Sequence, residues 1–236
     1  MKNVISYSLW GDNPMYWVGA LKNIELVSEK LPGWICRFYI DKNCYQYLID
    51  TIKGDNVEVV LVDPTGSHDN SYYHHGMFWR FTASEDPEVD VFLSRDCDSR
   101  ISDREVGAIN EWLLSDKDFH IMRDHPYHSA PILGGMWGCR NGLMRRIELS
   151  KLIKNWLVNN NRNSYSFGID QDFLREVIYP LVKDVSMEHS EFNLRFGGEI
   201  RQFPYIRDDY EFVGDVFDEN NIRHKDYWVL IKNVIG

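Results

Sequence analysis

Two aspartates separated by a single residue are the clearest candidates for chemistry in this 236-residue sequence. Asp96 and Asp98 follow the run Val89–Ser94, whose β-branched and aromatic residues are typical of a buried strand. In an open α/β sheet the ligand crevice lies beyond the carboxyl ends of the strands. Two carboxylates leaving a strand at that edge can direct oxygens at one hard divalent cation, such as Mn²⁺ or Mg²⁺. The pair therefore predicts a metal site, which would bridge a bound diphosphate.

A second acidic cluster, Asp170-Gln171-Asp172, stands at the start of a segment with a helical pattern. Aspartate is favoured at helix starts because its side chain accepts hydrogen bonds from free backbone N–H groups, so capping alone would explain both aspartates. The intervening Gln171 has no capping role, which favours a function for this cluster.

Several other residues have both a functional and a structural interpretation. Arg80 stands among bulky aromatic residues, where it would contact a phosphate or ribose, or pair with a nearby acid. Asp63 ends a predicted strand, where an acid can bind a ribose or simply form a turn. Gly134 and Gly135 allow a ligand to approach the backbone, or allow tight local packing. Trp10 follows a predicted strand and is placed to stack on a base.

The histidines give weaker signals than the aspartates. His74-His75 and His125-Pro126-Tyr127-His128 lack a second pair at zinc-finger spacing, so we interpret both as loop segments. His189 is either structural or a third ligand to the predicted metal.

The elements that must position these residues alternate between strand and helix patterns in the first half of the chain. The predicted strands are Val4–Leu9, Ile35–Ile40, Val57–Val62, Val89–Ser94 and Phe119–Met122. The predicted helices are Met15–Lys30, Tyr45–Ile52, Met77–Ala83, a helix opened by a Ser102/Glu105 capping box and ending near Leu114, Met144–Val158 and Asp170–Val182. The aromatic-rich end of the chain has no regular pattern. The alternation predicts an α/β fold with a mostly parallel central sheet flanked by helices, in a single domain over 1–236.

Composition excludes some classes of partner. A net charge of −10 argues against non-specific nucleic-acid binding, which needs a basic surface. The four cysteines show neither CxxC pairing nor zinc spacing, which favours a reduced, cytoplasmic compartment. The N-terminus lacks the apolar core of a signal peptide, and no stretch approaches the ~20 apolar residues of a membrane helix. We therefore expect a soluble protein without stable membrane insertion.

Taken in order, these motifs resemble nucleotide-sugar glycosyltransferases of the A-type (GT-A) fold, most closely the glycogenin and bacterial galactosyltransferase group. The resemblance covers roughly the first 190 residues. Its parts are the strand and loop Tyr7–Asn13, Arg80, Asp96-Cys97-Asp98, the Gly-rich segment Leu133–Gly138, Asp170-Gln171-Asp172, and His189.

The resemblance implies a role for each matched residue. The nucleoside would lie near Ser8, Leu9, Trp10, Asp12 and Asp63. Arg80 would counter negative charge, with Arg123 as a further candidate, and Gly134 and Gly135 would admit the donor sugar. Asp170 would orient the acceptor or act as base, and Gln171 would face the anomeric carbon. Asp96, Asp98 and His189 would bind Mn²⁺ or Mg²⁺. The resemblance further implies a Rossmann-like nucleotide-binding half at 1–100 and a sugar and acceptor half at 101–236.

One part of the group's pattern is absent. The C-terminal signature of His, Gly and Lys-Pro-Trp is replaced here by Met187-Glu188-His189-Ser190-Glu191. The usual lysine contact to the diphosphate is therefore missing, and Arg195 or Arg201 could take its place.

The predicted function is a metal-dependent, hexosyltransferase-like glycosyltransferase. It would move a sugar from a nucleoside diphosphate donor to an acceptor hydroxyl on a glycan, a lipid-linked sugar or a protein. A nucleotidyltransferase is one alternative, although the basic Gly-rich phosphate loop usual in that class is not visible near the N-terminus. A catalytically inactive protein of the same fold that binds carbohydrate or nucleotide is the other.

Overall fold

The computed structural model describes residues 1–64, 76–160, 168–192 and 196–235. His74, His75 and Arg195 lie outside these ranges. Within them, eight strands form one sheet in the order β3-β2-β1-β4-β6-β5-β7-β8. The strands are β1 Lys2–Leu9, β2 Ile35–Asp41, β3 Val57–Val62, β4 Val89–Ser94, β5 Phe119–Arg123, β6 Trp137–Arg140, β7 Ser186–Ser190 and β8 Glu199–Arg201.

Helices connect the strands and cover both faces of the sheet. The α-helices are α1 Pro14–Lys30, α2 Gln46–Ile49, α3 Gly76–Trp79, α4 Asp103–Leu113, α5 Leu143–Arg146, α6 Leu149–Asn159, α7 Ile169–Phe173, α8 Tyr179–Val182 and α9 Lys225–Ile235. Short 3₁₀ segments cover Arg80–Glu85 and Lys183–Val185, and a π-helical turn, Leu174–Ile178, joins α7 to α8. None of the described helices is long and apolar enough to cross a membrane.

The sheet is parallel except at one strand. β3, β2, β1 and β4 run parallel, as do β5, β7 and β8, whereas β6 is antiparallel to both of its neighbours. The predicted α/β fold with a mostly parallel sheet is confirmed. Because β6 is antiparallel, its first residue, Trp137, pairs with Ser94 at the carboxyl end of β4. The Gly134-Gly135 turn that precedes β6 is thereby brought to the edge where Asp96 and Asp98 lie.

Successive side chains of the central strands point to opposite faces, so two apolar cores form. Ile5 of β1 belongs to the core that packs against Trp17 of α1 and Trp112 of α4. Val4 belongs to the core on the other face, together with Trp137 of β6 and residues of α6 to α8. The two cores cover both faces of the sheet where β1 and β4 pair.

The second half of the chain departs from the predicted elements. β6, β7, β8 and α9 were not predicted. β7 is fully buried although its sequence is Ser-Met-Glu-His-Ser, because distant residues supply partners for its polar side chains. The helix predicted over Met144–Val158 is interrupted at Glu148, whose φ of 54° ends α5 before α6 begins. The helix predicted over Met77–Ala83 becomes a 3₁₀ segment from Arg80.

Candidate active site

A cavity of about 340 Å³ opens at the carboxyl edge of β1 and β4. Its walls come from β1 and the loop after it, from α1 and α3, from the segment after β4, from the turn before β6 and from the start of α7. The lining residues are Ser8, Leu9, Trp10, Tyr16, Met77, Arg80, Asp96, Cys97, Asp98, Gly134, Gly168, Asp170 and Gln171. Most of the residues singled out in the sequence therefore meet in one place.

Arg80 is the central charged group of this cavity. Its Nη1 donates a hydrogen bond to Asp96 Oδ1 and another, at 3.2 Å, to the backbone oxygen of Arg95. Its Nη2 donates to Asp170 Oδ2 at 3.1 Å. The residue is only 6% exposed, so these charge-assisted contacts are shielded from solvent. Arg80 thus joins the segment after β4 to the start of α7.

Two serines of strand β1 hold the backbone of Arg80 by hydrogen bonds. Ser6 Oγ donates a 2.7 Å hydrogen bond to the Arg80 carbonyl, and the Arg80 amide donates at 3.0 Å to Ser8 Oγ. Ser6 is fully buried and was not singled out in the sequence. Both serines belong to β1, so this strand positions a cationic side chain as well as lining the cavity.

Positive charge compensates the Asp96 and Asp98 pair only in part. Asp96 keeps 48% of its side chain exposed while one oxygen is held by Arg80. Burial, and next the negative charge of Asp96, raise the pKa of Asp98 to about 7. A divalent cation between the two carboxylates would relieve this repulsion.

The donor set fits a hard divalent cation that takes its remaining ligands from solvent or substrate. Two carboxylates face one cavity, and Mg²⁺ typically keeps several waters and binds substrate phosphates. Within the described part of the chain, no group of three His, Cys, Asp or Glu side chains is arranged to hold a metal. A cation here would therefore depend on ligand oxygens.

The turn before β6 requires glycine because it passes directly against the charged groups. A Cβ at Gly134 would overlap Asp170 Oδ2 and come within 2.6 Å of Arg80 Nη2. A Cβ at Gly135 would overlap Asp96 Oδ2. Ser94 Oγ, at the end of β4, donates a 2.7 Å hydrogen bond to the Gly134 carbonyl and holds the turn in place. Gly134 lines the cavity, whereas Gly135 supports Asp96 from behind.

Asp170 is buried and does not cap its helix. The N-cap of α7 is Gly168, with a φ of 78°, and Asp170 is the second residue of the helix. Its carboxylate accepts from the Gln171 amide at 2.9 Å as well as from Arg80. Burial raises the pKa of Asp170, and the positive charge of Arg80 opposes that rise. Plain helix capping is therefore the wrong explanation for Asp170.

Several predicted residues lie away from the cavity. His189, the predicted third metal ligand, is fully buried on β7, where its Nδ1 lies 2.8 Å from His120 Nε2 and its Nε2 3.3 Å from Glu111 Oε2. Both ring nitrogens thus have partners on β5 and α4, and two strands, β6 and β5, separate β7 from β4. The structure does not bring His189 to Asp96 and Asp98.

The remaining basic and acidic candidates also have other partners. Asp63 lies 2.5 Å from Lys42 Nζ at the outer end of the sheet, and Asp12 is exposed outside the cavity lining. Arg123 forms an ion pair with Glu188 in which both side chains are fully buried, and it is not among the residues that line the cavity. Arg201 pairs with Glu199 on the edge strand β8.

Tyr16 is a lining residue that the sequence interpretation missed. Asn13 caps α1 by accepting a 3.0 Å hydrogen bond from the Met15 amide, and Pro14 occupies the first turn. This sharp start places Tyr16 beside the aspartate pair. Burial, followed by the charges of Asp98 and Asp96, raises the pKa of Tyr16. The Asn-Pro signal after β1 could have drawn attention to it.

Comparison with solved structures places this geometry in a known fold. A galactosyltransferase LgtC in complex with donor and acceptor sugar analogues is similar at a TM-score of 0.54 and 15% identity, over 79% of this chain and 73% of LgtC. The glycosyltransferase GlyE of Streptococcus pneumoniae TIGR4 is similar at a TM-score of 0.51 and 12% identity, over 77% of this chain and 44% of GlyE. A 4-diphosphocytidyl-2C-methyl-D-erythritol synthase of Anaerococcus prevotii DSM 20548 is similar at a TM-score of 0.46 and 10% identity, over 84% of this chain and 93% of the synthase.

No protein-family model matches the sequence, and no curated protein is similar to it in sequence. The structural likeness nevertheless confirms the A-type glycosyltransferase fold that the ordered motifs imply.

Proposed function

We propose that this chain, which has the A-type glycosyltransferase fold, is a metal-dependent glycosyltransferase. It would move a sugar from a nucleoside diphosphate donor to a hydroxyl of a glycan, a lipid-linked sugar or a protein. One observation carries the proposal: Asp96 and Asp98 face the same cavity as Asp170 and Gln171, and Arg80 links the two groups.

The base of the donor is assigned to the Trp10 side of the cavity. The Trp10 ring is held by Gly76, where a Cβ would approach it to 2.6 Å, and stands edge-on to Trp79 at 5.9 Å. It nevertheless remains 45% exposed. A fixed, half-exposed ring offers a flat face for base stacking at low entropic cost. Tyr16, 38% exposed, closes the cavity beside it.

Asp96 and Asp98 are the residues that would hold Mn²⁺ or Mg²⁺ in this scheme. When bound, the cation neutralises charge that develops on the departing diphosphate. Arg80 already holds one oxygen of Asp96, which leaves the other oxygen and the Asp98 carboxylate for the cation. His189 has no part in this site.

Asp170 and Gln171 are assigned to the reacting end of the donor sugar. In the transfer, the acceptor oxygen bonds to the anomeric carbon as the bond from that carbon to the diphosphate oxygen breaks. The acceptor proton must pass to a base, and Asp170 is the candidate because its carboxylate lines the cavity. Arg80 keeps this carboxylate oriented and favours its ionised form.

The two alternatives make different predictions. A nucleotidyltransferase would release pyrophosphate from a nucleoside triphosphate rather than a nucleoside diphosphate from a nucleotide sugar. A catalytically inactive protein of this fold would bind its ligand without turning it over. Slow hydrolysis of a nucleotide sugar, measured as release of nucleoside diphosphate, therefore separates the proposed enzyme from both.

The decisive test is a thermal-shift titration with a panel of nucleoside diphosphates, with and without Mn²⁺. One diphosphate should raise the melting temperature by about 5–10 °C at roughly 100 times its Kd, and only with Mn²⁺. Asp98→Asn should abolish this shift. Asp55→Asn, a matched change at an exposed aspartate outside the cavity, should retain it. The proposal fails if folded wild-type protein shows no metal-dependent shift with any nucleotide.

A further inference from the structure

A second, larger cavity of about 690 Å³ lies between α1, the start of α4 and the chain that precedes α9. Its walls are α1, residues 100–104 before and at the start of α4, and the chain between β8 and α9, residues 205–223. It shares no lining residue with the active-site cavity. The proposed transfer reaction does not use it.

The charges around this cavity cancel one another. Five basic and six acidic side chains line it, so the field inside favours neither an anion nor a cation strongly. Several of these charges are paired with one another: Lys30 Nζ of α1 lies 2.6 Å from Asp103 Oδ1 of α4, and within residues 205–223 Arg223 Nε lies 2.6 Å from Asp215 Oδ2. The charge pattern therefore fits an uncharged, polar ligand.

Aromatic rings supply flat faces in the same cavity. The Tyr205 ring packs against Gly107 of α4, where a Cβ would approach it to 2.7 Å. Tyr205 is still 54% exposed. Elsewhere in the lining, the Arg100 guanidinium lies 4.9 Å from the centre of the Phe217 ring. Rigid aromatic faces of this kind pack well against the C–H faces of a sugar ring.

The polar groups of the wall have unused hydrogen-bonding capacity. Within the described chain, the buried atoms Arg100 Nη2, Arg223 Nη2 and Asp215 Oδ1 have no hydrogen-bond partner. Asp215 as a whole is 3% exposed. A hydroxyl group both donates and accepts hydrogen bonds, so it can accept from a guanidinium and donate to a neighbouring carboxylate. These atoms are themselves buried, so a ligand hydroxyl would reach them only after the Arg100 and Arg223 side chains turn toward the cavity.

From these observations we infer that the cavity between α1, α4 and residues 205–223 is a binding site for a neutral oligosaccharide. The site is separate from the donor cavity and needs neither nucleotide nor metal. It is nevertheless built on the same backbone, because the Phe217 amide donates a 2.9 Å hydrogen bond to the Asp98 carbonyl and Val216 bridges to Ser99. A saccharide held here would contact residues 100–104, which follow the aspartate pair in the chain.

The test uses saturation-transfer NMR with neutral oligosaccharides of different linkage, namely lactose, maltotriose, cellotriose and chitotriose, at millimolar concentration without nucleotide or metal. At least one should show saturation transfer, with its Kd measured by titration. Tyr205→Ala should weaken that binding about tenfold, because it removes the exposed aromatic face. Tyr47→Ala removes a tyrosine of similar exposure (66%) outside the cavity and should leave Kd unchanged.

Thermal unfolding of both variants checks that each is folded. Absence of saturation transfer from all four oligosaccharides would overturn the inference, as would equal weakening by the two tyrosine variants. Binding that survives Tyr205→Ala but is lost in Asp98→Asn would place the saccharide in the donor cavity and overturn it as well. Because nucleotide is absent throughout, none of these results depends on the outcome of the diphosphate titration.

Discussion

At the scale of single residues, Arg80 determines how the candidate active site is held together. Its guanidinium donates hydrogen bonds to carboxylates from two distant parts of the chain, Asp96 after β4 and Asp170 in α7. Asp170 is 3% exposed, so its negative charge depends on this partner. An unpaired buried charge is costly, which makes the bridge important for folding as well as for any chemistry.

We therefore expect Arg80→Ala to lower the free energy of unfolding by about 3 kcal/mol, because Asp170 would be left buried without a counter-charge. Arg80→Lys should be intermediate, since a single ammonium cannot reproduce the planar fork that reaches both carboxylates. Urea unfolding monitored by tryptophan fluorescence measures both changes.

The matched control is Arg175→Ala. The Arg175 side chain is 49% exposed and pairs with Asp172 at 2.6 Å on the surface. Exposed pairs contribute little, so the control should change stability by less than about 1 kcal/mol. Equal effects of Arg80→Ala and Arg175→Ala would show that the buried bridge is not what stabilises the site.

At the scale of elements, the start of α4 contains a capping-box sequence in which one residue takes a tertiary partner instead of capping the helix. Ser102 caps the helix as expected, with its Oγ accepting from the Glu105 amide at 3.2 Å. The Glu105 carboxylate does not return to the cap, however, but pairs with Arg95, and both side chains are 2% exposed. Arg95 directly precedes Asp96, so α4 anchors the strand end that carries the aspartate pair.

This arrangement predicts unequal costs at the two ends of the apparent capping box. Ser102→Ala should cost about 1 kcal/mol of stability, the usual value of an N-cap. Glu105→Gln should cost about 3 kcal/mol or more, because it leaves Arg95 buried and unpaired. In a true capping box, Gln replaces Glu with little loss of stability. If urea unfolding shows nearly the same free energy for Glu105→Gln as for wild type, the ion pair is not what stabilises this position.

A double variant separates charge from packing at the same position. Arg95→Met combined with Glu105→Leu removes both charges while keeping similar volume, and such replacements of buried ion pairs are often neutral or stabilising. We expect the double variant to recover most of the stability lost in Glu105→Gln. A double variant no more stable than Glu105→Gln would show that the loss does not come from an uncompensated charge.

At the scale of the whole molecule, the sheet is completed by strands whose polar residues find partners only in the folded chain. β5 and β7 bring His120 beside His189, and the His120 ring stacks on Trp112 of α4 at 5.1 Å. Both histidines are fully buried. Burial is the main cause that lowers the pKa of each. The fold therefore keeps both rings neutral at pH values where an unfolded chain would protonate them.

This linkage gives a pH dependence with a definite sign. His120 has a native pKa below its unfolded value of about 6.5, so the unfolded state binds more protons and stability falls as pH falls below that value. His120→Gln should reduce the loss of stability between about pH 7.5 and 5.5 by about 1 kcal/mol. Buried acids with raised pKa values act in the opposite direction, but they are present in both proteins and cancel in the difference.

Urea unfolding of wild type and His120→Gln at the two pH values measures this difference. His224→Gln, an identical change at an exposed histidine, is the control and should leave the pH dependence as in wild type. Identical pH dependence of all three proteins would rule out a buried neutral His120.

The sequence by itself determined the first half of the fold and the key residues at its edge. The first four strands, α1 and the position of Asp96 and Asp98 follow from local apolar patterns and from breakers such as Gly11-Asp12-Asn13-Pro14, which act over a few residues. Only the tertiary structure decided which charges meet. Arg80 reaches Asp170, Glu105 leaves its cap for Arg95, and His189 turns to His120 rather than to the aspartates.

The strands of the second half were not predicted for the same reason. β7 is buried only because Arg123 neutralises Glu188 and His120 contacts His189, so its composition conceals its position. β6 is short, and its antiparallel insertion beside β4 brings the Gly134-Gly135 turn to the site. Pairings of this kind join residues far apart in the chain, and a periodicity read along one segment contains no information about them.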